Sequence, residues 1–460
     1  MGGRTYQLPL YRKRPDKEFY HAYNQRLASL GTLIGATGNE IYYRDDIYFR
    51  KDIQNIWVAE GGNDNWSGTF RQPKATLSGA NFIANSNDII NVLPGTYYVE
   101  GLFLKSNVNF YLYPNVSLYN TGDDDFMFRV SEHNYVGGIY GNGSIYNTGG
   151  IGILKQTGYH SSLEIEGHIM SGGNLNISAG ASELFQVNNS GKLKVTCDEI
   201  SLFRDTPSAS LEIFYMPSRG SYIDVFCDKM ETNCEFLNGA ITITGDFYAN
   251  FTVDNIIHRN YSNAFVFQVQ NMETNIQCFN LISEGCSRFF SVFDSGKLAI
   301  DANNFLTQLN DTLIYASDYS RVLINADLMK GQIFVNNFFD GTYDPIFYTK
   351  GGIWEASGNY VLYISKQDRC YIKDMTIINH YLGGTGIILN NNSIGGFTGF
   401  YFIDDCVIGV SGNGCYPIST GRGPKVDDFL MLDLNSCVFS TELPSDLDYS
   451  GSYRTNQWIR

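Results

Sequence analysis

Three aspartates, Asp198, Asp228 and Asp254, recur at intervals of 30 and 26 residues, each directly after a small apolar residue (Cys197, Cys227, Val253). Asp327 follows Ala326 in the same way, and Asn303 follows Ala302. If these segments stack as parallel strands, neighbouring carboxylates stand about 5 Å apart, the inter-strand spacing. Two carboxylates ~5–5.5 Å apart suit a retaining glycosidase and wider pairs an inverting one. Like charges that close also raise one pKa or attract a cation. Asp198, Asp228 and Asp254 are therefore the candidate catalytic residues; the plainer alternative is a solvated acidic face whose repulsion is screened. A second cluster, Asp123-Asp124-Asp125, has contiguous side chains that point different ways. It suits a Ca²⁺ site or a solvated loop better than an acid/base pair. These three are the candidate metal ligands, and Ca²⁺ is the one cofactor in view.

Other reactive residue types show no chemical spacing. The six histidines (His21, His133, His160, His168, His258, His380) belong to no ligand pattern. The nine cysteines (Cys197, Cys227, Cys234, Cys278, Cys286, Cys370, Cys406, Cys415, Cys437) contain no CxxC and no zinc-type Cys/His cluster. An odd count without such patterns reads as reduced thiols in a chain folded in a cytosol. The 32 Tyr and 31 Phe exceed what a narrow core needs. Some are expected outside, where aromatic side chains pack on sugars and hydrogen-bond through polar tips; the alternative is that they stack inside and stiffen the fold.

The elements that position these residues announce themselves as repeats. Ser117-Leu118-Tyr119-Asn120-Thr121-Gly122 returns as Ser144-Ile145-Tyr146-Asn147-Thr148-Gly149, and Ser190-Gly191-Lys192-Leu193 as Ser295-Gly296-Lys297-Leu298. The column Cys197, Cys227, Val253, Cys278, Ala302, Ala326 advances in steps of 30, 26, 25, 24 and 24. Between these positions, runs with period-2 apolar alternation are separated by short Asn/Asp/Ser/Gly turns, as from Leu184–Val187 through Gly191 into Leu193–Val195. A repeat of this length built from two or three short strands fits a coil of parallel strands, one turn per repeat. Its equivalent small apolar residues would form one inward column.

The chain carries 32 Lys+Arg against 47 Asp+Glu, net −15. That balance argues against sequence-independent nucleic-acid binding. No run approaches the ~18 apolar residues of a membrane span. The start, MGGRTYQLPLYRKR, has no apolar stretch of a secretory signal.

Ile56-Trp57-Val58-Ala59, then Gly61-Gly62-Asn63-Asp64, Gln72-Pro73-Lys74-Ala75-Thr76-Leu77 and Asp88-Ile89-Ile90-Asn91-Val92-Leu93-Pro94-Gly95-Thr96-Tyr97-Tyr98 resemble the opening coil of the pectate-lyase-like right-handed parallel β-helix superfamily. The resemblance implies an all-β solenoid whose open first coil is covered by a short helix over about 73–84. Pro73 is expected at its first position, with Leu77, Ala80, Asn81, Ile83 and Ala84 on one face. It says little about chemistry, because that fold carries lyases, hydrolases, epimerases and inert adhesins. No Asn-Thr-Asp…Asp-Asp…Gly-His-Gly series of the polygalacturonase kind is present; Asp404-Asp405 stands without the Gly-His-Gly.

The expected organisation is a leader or anchor over 1–55, a parallel β-helix over 56–440 and a C-terminal tail over 441–460. The leader is basic (Arg4, Arg12, Lys13, Arg14, Lys17), with a short helix expected from Asp16 to about Arg26. It reads either as packing on the solenoid end or as an anchor to a larger assembly. Cytosolic folding without an export signal, an aromatic shaft and an anchor-like leader together resemble a phage tailspike or tail-fibre protein. That likeness implies a homotrimeric virion protein, made in the host cytoplasm, that binds host surface polysaccharide. It would attach to other virion proteins through 1–55, with neither nucleic acid nor membrane insertion. Two alternatives stand beside it: a polysaccharide hydrolase or lyase using the carboxylates on adjacent coils, and a non-enzymatic virion scaffold.

Overall fold

The structure, a computed structural model, describes residues 54–120, 126–148, 151–172, 182–203, 211–218, 220–239, 248–259, 266–309, 311–336, 346–365, 369–390, 399–411, 415–420, 430–443 and 453–455. The chain forms two compact units, Met1–Ser171 and Gly172–Arg460. Asp123, Asp124 and Asp125 lie outside the described residues, as do residues 1–53 of the leader, with its expected helix, and most of the tail.

In the first unit, strands Asn55–Val58, Ile89–Val92, Asn109–Leu112, Val136–Gly141 and Ser162–Glu166 pair in parallel, one above the next. A second ladder stacks Gly95–Tyr98, Val116–Asn120 and Ser144–Asn147. A third stacks Leu102–Phe103, Phe126–Val130 and Gly152–Gln156. The chain visits the three ladders in turn, so each circuit is one rung of a coil. The Ser117/Ser144 repeat is paired residue for residue, Leu118 against Ile145 and Asn120 against Asn147. Alternation places Leu118 and Ile145 inside and Tyr119 and Tyr146 outside.

The expected helix is Leu77–Ile83, against the strands Asn55–Val58 and Ile89–Val92 of the first rungs. It buries Leu77, Ala80 and Asn81. Its start differs from the sequence expectation. Thr76 is the N-cap, its hydroxyl accepting from Gly79 N at 2.9 Å, so Pro73 precedes the helix instead of opening it. The reason is Asp64, whose carboxylate accepts from Ala75 N and Thr76 N at 2.9 Å and from the Thr76 hydroxyl at 2.6 Å. This clamp fixes the entry, and Thr76 supplies the oxygen that Pro73 lacks. Gly95 of the PGTYY turn is required for close approach: a Cβ there would stand 2.6 Å from Glu60 Cγ, while Glu60 Oε1 accepts from Thr96 N.

The second unit repeats the plan with longer strands. Lys192–Leu202, Tyr222–Thr232, Tyr248–His258, Glu273–Ser283, Lys297–Leu306 and Arg321–Lys330 form one continuous parallel ladder. The predicted column is in register throughout: Cys197, Cys227, Val253, Cys278, Ala302 and Ala326 are successive partners, and all are buried. Beyond Lys330 each long strand divides in two, as in Ile346–Lys350 and Ile353–Ala356, both paired with Arg321–Lys330. The remaining ladder runs from Ser182–Val187 through Leu211–Met216 and Phe267–Gln270 to Ile418–Thr420. Both units are thus turns of a right-handed parallel β-helix, the hand that strand–crossover–parallel strand connections almost always take.

Stacked apolar columns hold the coils together. Phe267 packs face to face on Phe290 at 4.7 Å and Phe185 on Phe214 at 5.2 Å. Each such fully buried side chain contributes about 1.5–3 kcal/mol relative to exposure. The nine cysteines are buried thiols outside any disulfide, behaving as small core residues. Burial, followed by the stacked Cys227 thiol, pushes the Cys197 thiol up; burial pushes Cys278 up to about 12.

Candidate functional site

The alternation that builds the long strands breaks at one point. In Lys192–Leu202, Cys197 and Ile200 point inward, while Asp198 and Glu199 both lie at the surface. The same pair of outward residues recurs as Asp228-Lys229, Asp254-Asn255, Phe279-Asn280, Asn303-Asn304 and Asp327-Leu328. Two consecutive outward residues turn the strand from one face of the coil to the next, so this is a corner. Asp198, Asp228 and Asp254 therefore occupy successive rungs at equivalent places, between paired Cys197/Cys227/Val253 and paired Glu199/Lys229/Asn255. Strand spacing sets neighbouring members about 4.8 Å apart. The exposed Phe279 ring ends the acidic run on the fourth rung.

The second corner column is held by hydrogen bonds. Asn280 Nδ2 donates to Asn255 Oδ1 at 2.7 Å and Asn304 Nδ2 to Asn280 Oδ1 at 2.8 Å. Above them Lys229 Nζ stands 3.7 Å from Glu199 and also pairs with Glu231, which Arg259 joins. Burial raises the Glu231 pKa, but the bonds from Lys229 and Arg259 outweigh it and hold the carboxyl below its ordinary range. Asn303 Nδ2 donates to Asp327 Oδ2 at 2.7 Å, tying the lower end of the Asp column.

A concavity lies just before the corner, on the outward side of the same strands. A groove of about 500 Å³ crosses five rungs, with Asn250 and Thr252, Asn275 and Gln277, Ala299 and Asp301, Leu323 and Asn325, and finally Tyr348 along its floor. Small and amide side chains line much of the depression, and Tyr348 lines its far end; Tyr222 and Phe226 stand on the rung above Asn250 and Thr252. The amides are pre-aligned. Asn275 Nδ2 donates to Asn250 Oδ1 and Asn250 Nδ2 to the Tyr222 hydroxyl, both at 2.9 Å. Asn325 Nδ2 donates to Asp301 Oδ1 at 2.9 Å. Asp224, the partner of Asn250 on the rung above, has its pKa raised by burial against the opposing pull of Lys194.

The sequence pattern marks the acidic column but not this groove. Its signal was present but not periodic: Asn250 and Asn275 align with Ala299 and Leu323, a change from amide to small to apolar that no repeat search registers. Among the described residues lining it, Asp301 is the one carboxylate. No group of three or more His, Cys, Asp or Glu among the described residues is arranged to hold a metal ion. No described helix is long and apolar enough to cross a membrane.

Fold and site together define a parallel β-helix with an open, amide-lined groove on one face. No protein-family model and no curated protein sequence matches the chain. A solved structure of a rhamnogalacturonan lyase is similar over 86% of this chain and 84% of its own, at 13% identity and a TM-score of 0.21. So distant a likeness carries no argument about the site, and the architecture rests on the strand register.

Proposed function

We propose that this protein is a polysaccharide-binding β-helix of the tailspike or tail-fibre kind, presented on a phage virion to grip host surface glycan. The observation that carries the glycan reading is the five-rung groove. Four rung spacings of about 4.8 Å give it a length near 19 Å, room for several sugar units. Its amides offer paired donors and acceptors, the chemistry that fixes hydroxyl-rich ligands. The virion assignment draws on the sequence: nine cysteines that read as reduced thiols, a low-charge aromatic shaft and a basic leader.

Binding is preferred over cleavage because glycoside hydrolysis requires two carboxylates astride the scissile bond, and the described lining supplies Asp301 alone. The competing proposal places cleavage at Asp198, Asp228 and Asp254. Incubation with purified host capsule or lipopolysaccharide separates the two. Retention of the polymer without released oligosaccharide supports the binding protein. Release that Asp228→Asn abolishes supports the enzyme. Neither retention nor release leaves a scaffold and overturns the glycan reading.

A further inference from the structure

Tyr348 is the last residue lining the groove, but the column of outward residues to which it belongs continues with a different chemistry. On the next rungs Tyr348 is succeeded by Tyr371 and Phe402. The Tyr371 and Phe402 rings are stacked at 5.1 Å with 8° between planes, and Tyr348 lies 6.5 Å from Tyr371. Cations flank this aromatic column on both sides. Two residues before it, Arg321 and Arg369 stand on the rungs above and below Ile346. Two residues after it, Asn325 is followed by Lys350 and Lys373. All four cations are exposed. Acidic groups nearby are Asp404, 3.9 Å from Lys373 Nζ, Asp374 beside it in sequence, Asp433, the partner of Phe402 on the next rung, and Asp301, the partner of Asn325 on the rung before. A chain of net charge −15 has thus gathered four positive side chains on three successive rungs around an apolar stripe.

We infer that this strip is the anion-reading end of the binding groove, and that the glycan is acidic: a polymer bearing carboxylate, phosphate or sulfate groups at intervals along its length. The inference rests on the glycan-binding reading above and adds its charge class. In a field that is negative overall, a neutral polymer gains nothing from such clustering, whereas an anionic one gains long-range attraction and charge-assisted hydrogen bonds. The ring geometry selects glycan over nucleic acid. Tyr371 is covered on one face by Phe402 and flanked on the other by Tyr348, so it offers its edge outward; a base-stacking platform needs open faces. Sugar rims, with their C–H and O–H groups, suit edges spaced about one rung apart.

The test uses the full chain immobilised against a panel of purified bacterial surface polysaccharides, acidic and neutral, with a single-stranded oligothymidylate as polyanion control. A Lys350→Gln/Lys373→Gln double variant is run in parallel, its fold checked by circular dichroism. The expected result is retention of acidic members, weakened by salt, and a loss of about tenfold or more in the double variant from two charge-assisted contacts. Retention of neutral polymers only overturns the charge class while leaving glycan binding in place. Retention of acidic polymers unchanged by the double variant overturns the site. Oligothymidylate held as tightly as the glycans overturns the ligand class. Retention of none overturns the glycan reading itself and this inference with it.

Discussion

Replacing His258 should change how the protein responds to acid. His258 ends the strand Tyr248–His258 and is fully buried. It sits in a polar column between Thr232 above and Ser283 below, with Nδ1 3.1 Å from the Ser283 hydroxyl. Burial lowers its pKa from 6.5 to about 3. The unfolded chain takes up a proton at this residue below about pH 6.5, and the folded chain does so only near pH 3. The stabilisation is therefore complete above pH 6.5 and is lost as pH falls from 6.5 toward 3. The slope is about 1.4 kcal/mol per pH unit, so lowering the pH from about 6.5 to 4.5 removes about 2–3 kcal/mol through this residue. His258→Gln keeps a hydrogen-bonding amide and cannot titrate. Urea unfolding of both proteins at about pH 7 and pH 4.5 isolates the effect, because carboxylates such as Glu231 titrate in both and cancel in the difference. The variant should gain about 2–3 kcal/mol relative to wild type on acidification. Identical acid sensitivity in the two proteins, or a His258 ring that titrates near 6.5 by NMR, would refute the reasoning.

Other predictions follow from the core and the corner. All nine thiols should resist a thiol reagent in the native state and react together on unfolding, as read by mass spectrometry; rapid native labelling of Cys197, Cys227 or Cys278 would contradict the inward column. Trp354 is fully buried and its Nε1 donates to Gly331 O at 2.8 Å, so Trp354→Ala should cost about 3–5 kcal/mol in chemical denaturation. Arg259→Ala removes one of the two cations on the largely buried Glu231 and should cost about 1–3 kcal/mol, with a smaller loss at acid pH where the carboxyl is protonated. Deleting residues 1–50 should leave a folded, glycan-binding β-helix that no longer joins particles; aggregation of the truncated protein would make the leader part of the solenoid end.

What the sequence made legible was whatever repeats. The column from Cys197 to Ala326 is visible in the sequence because every one of these rungs needs a small apolar residue at the same inward place. The helix over the first coil could be placed because Leu77 and Ala80 share one face. Its start lies beyond Pro73, at the Thr76 cap, because the deciding group, Asp64, lies outside the helix. The corner was half visible. An aspartate after Cys197, Cys227, Val253 and Ala326 stands out in the sequence, but two successive outward residues per strand emerge only from the register. The groove was least legible because it is made by difference: Asn275 and Ala299 are small beside Tyr348, which closes the same column. Depth of that kind is a comparison between coils, which a single strand pattern does not contain.

The central claim is that ligand glycan lies in the groove across Asn250, Asn275, Ala299 and Leu323. Ala299 is the place to test it, since its small side chain leaves the floor open and takes no part in the amide hydrogen bonds. Ala299→Trp fills the groove without removing any of those bonds. Isothermal titration with the surface polysaccharide that wild type retains should show binding lost in Ala299→Trp and kept in Tyr119→Trp, a control on the outer face of the first unit. Undiminished binding by Ala299→Trp, with its fold intact, would contradict the account.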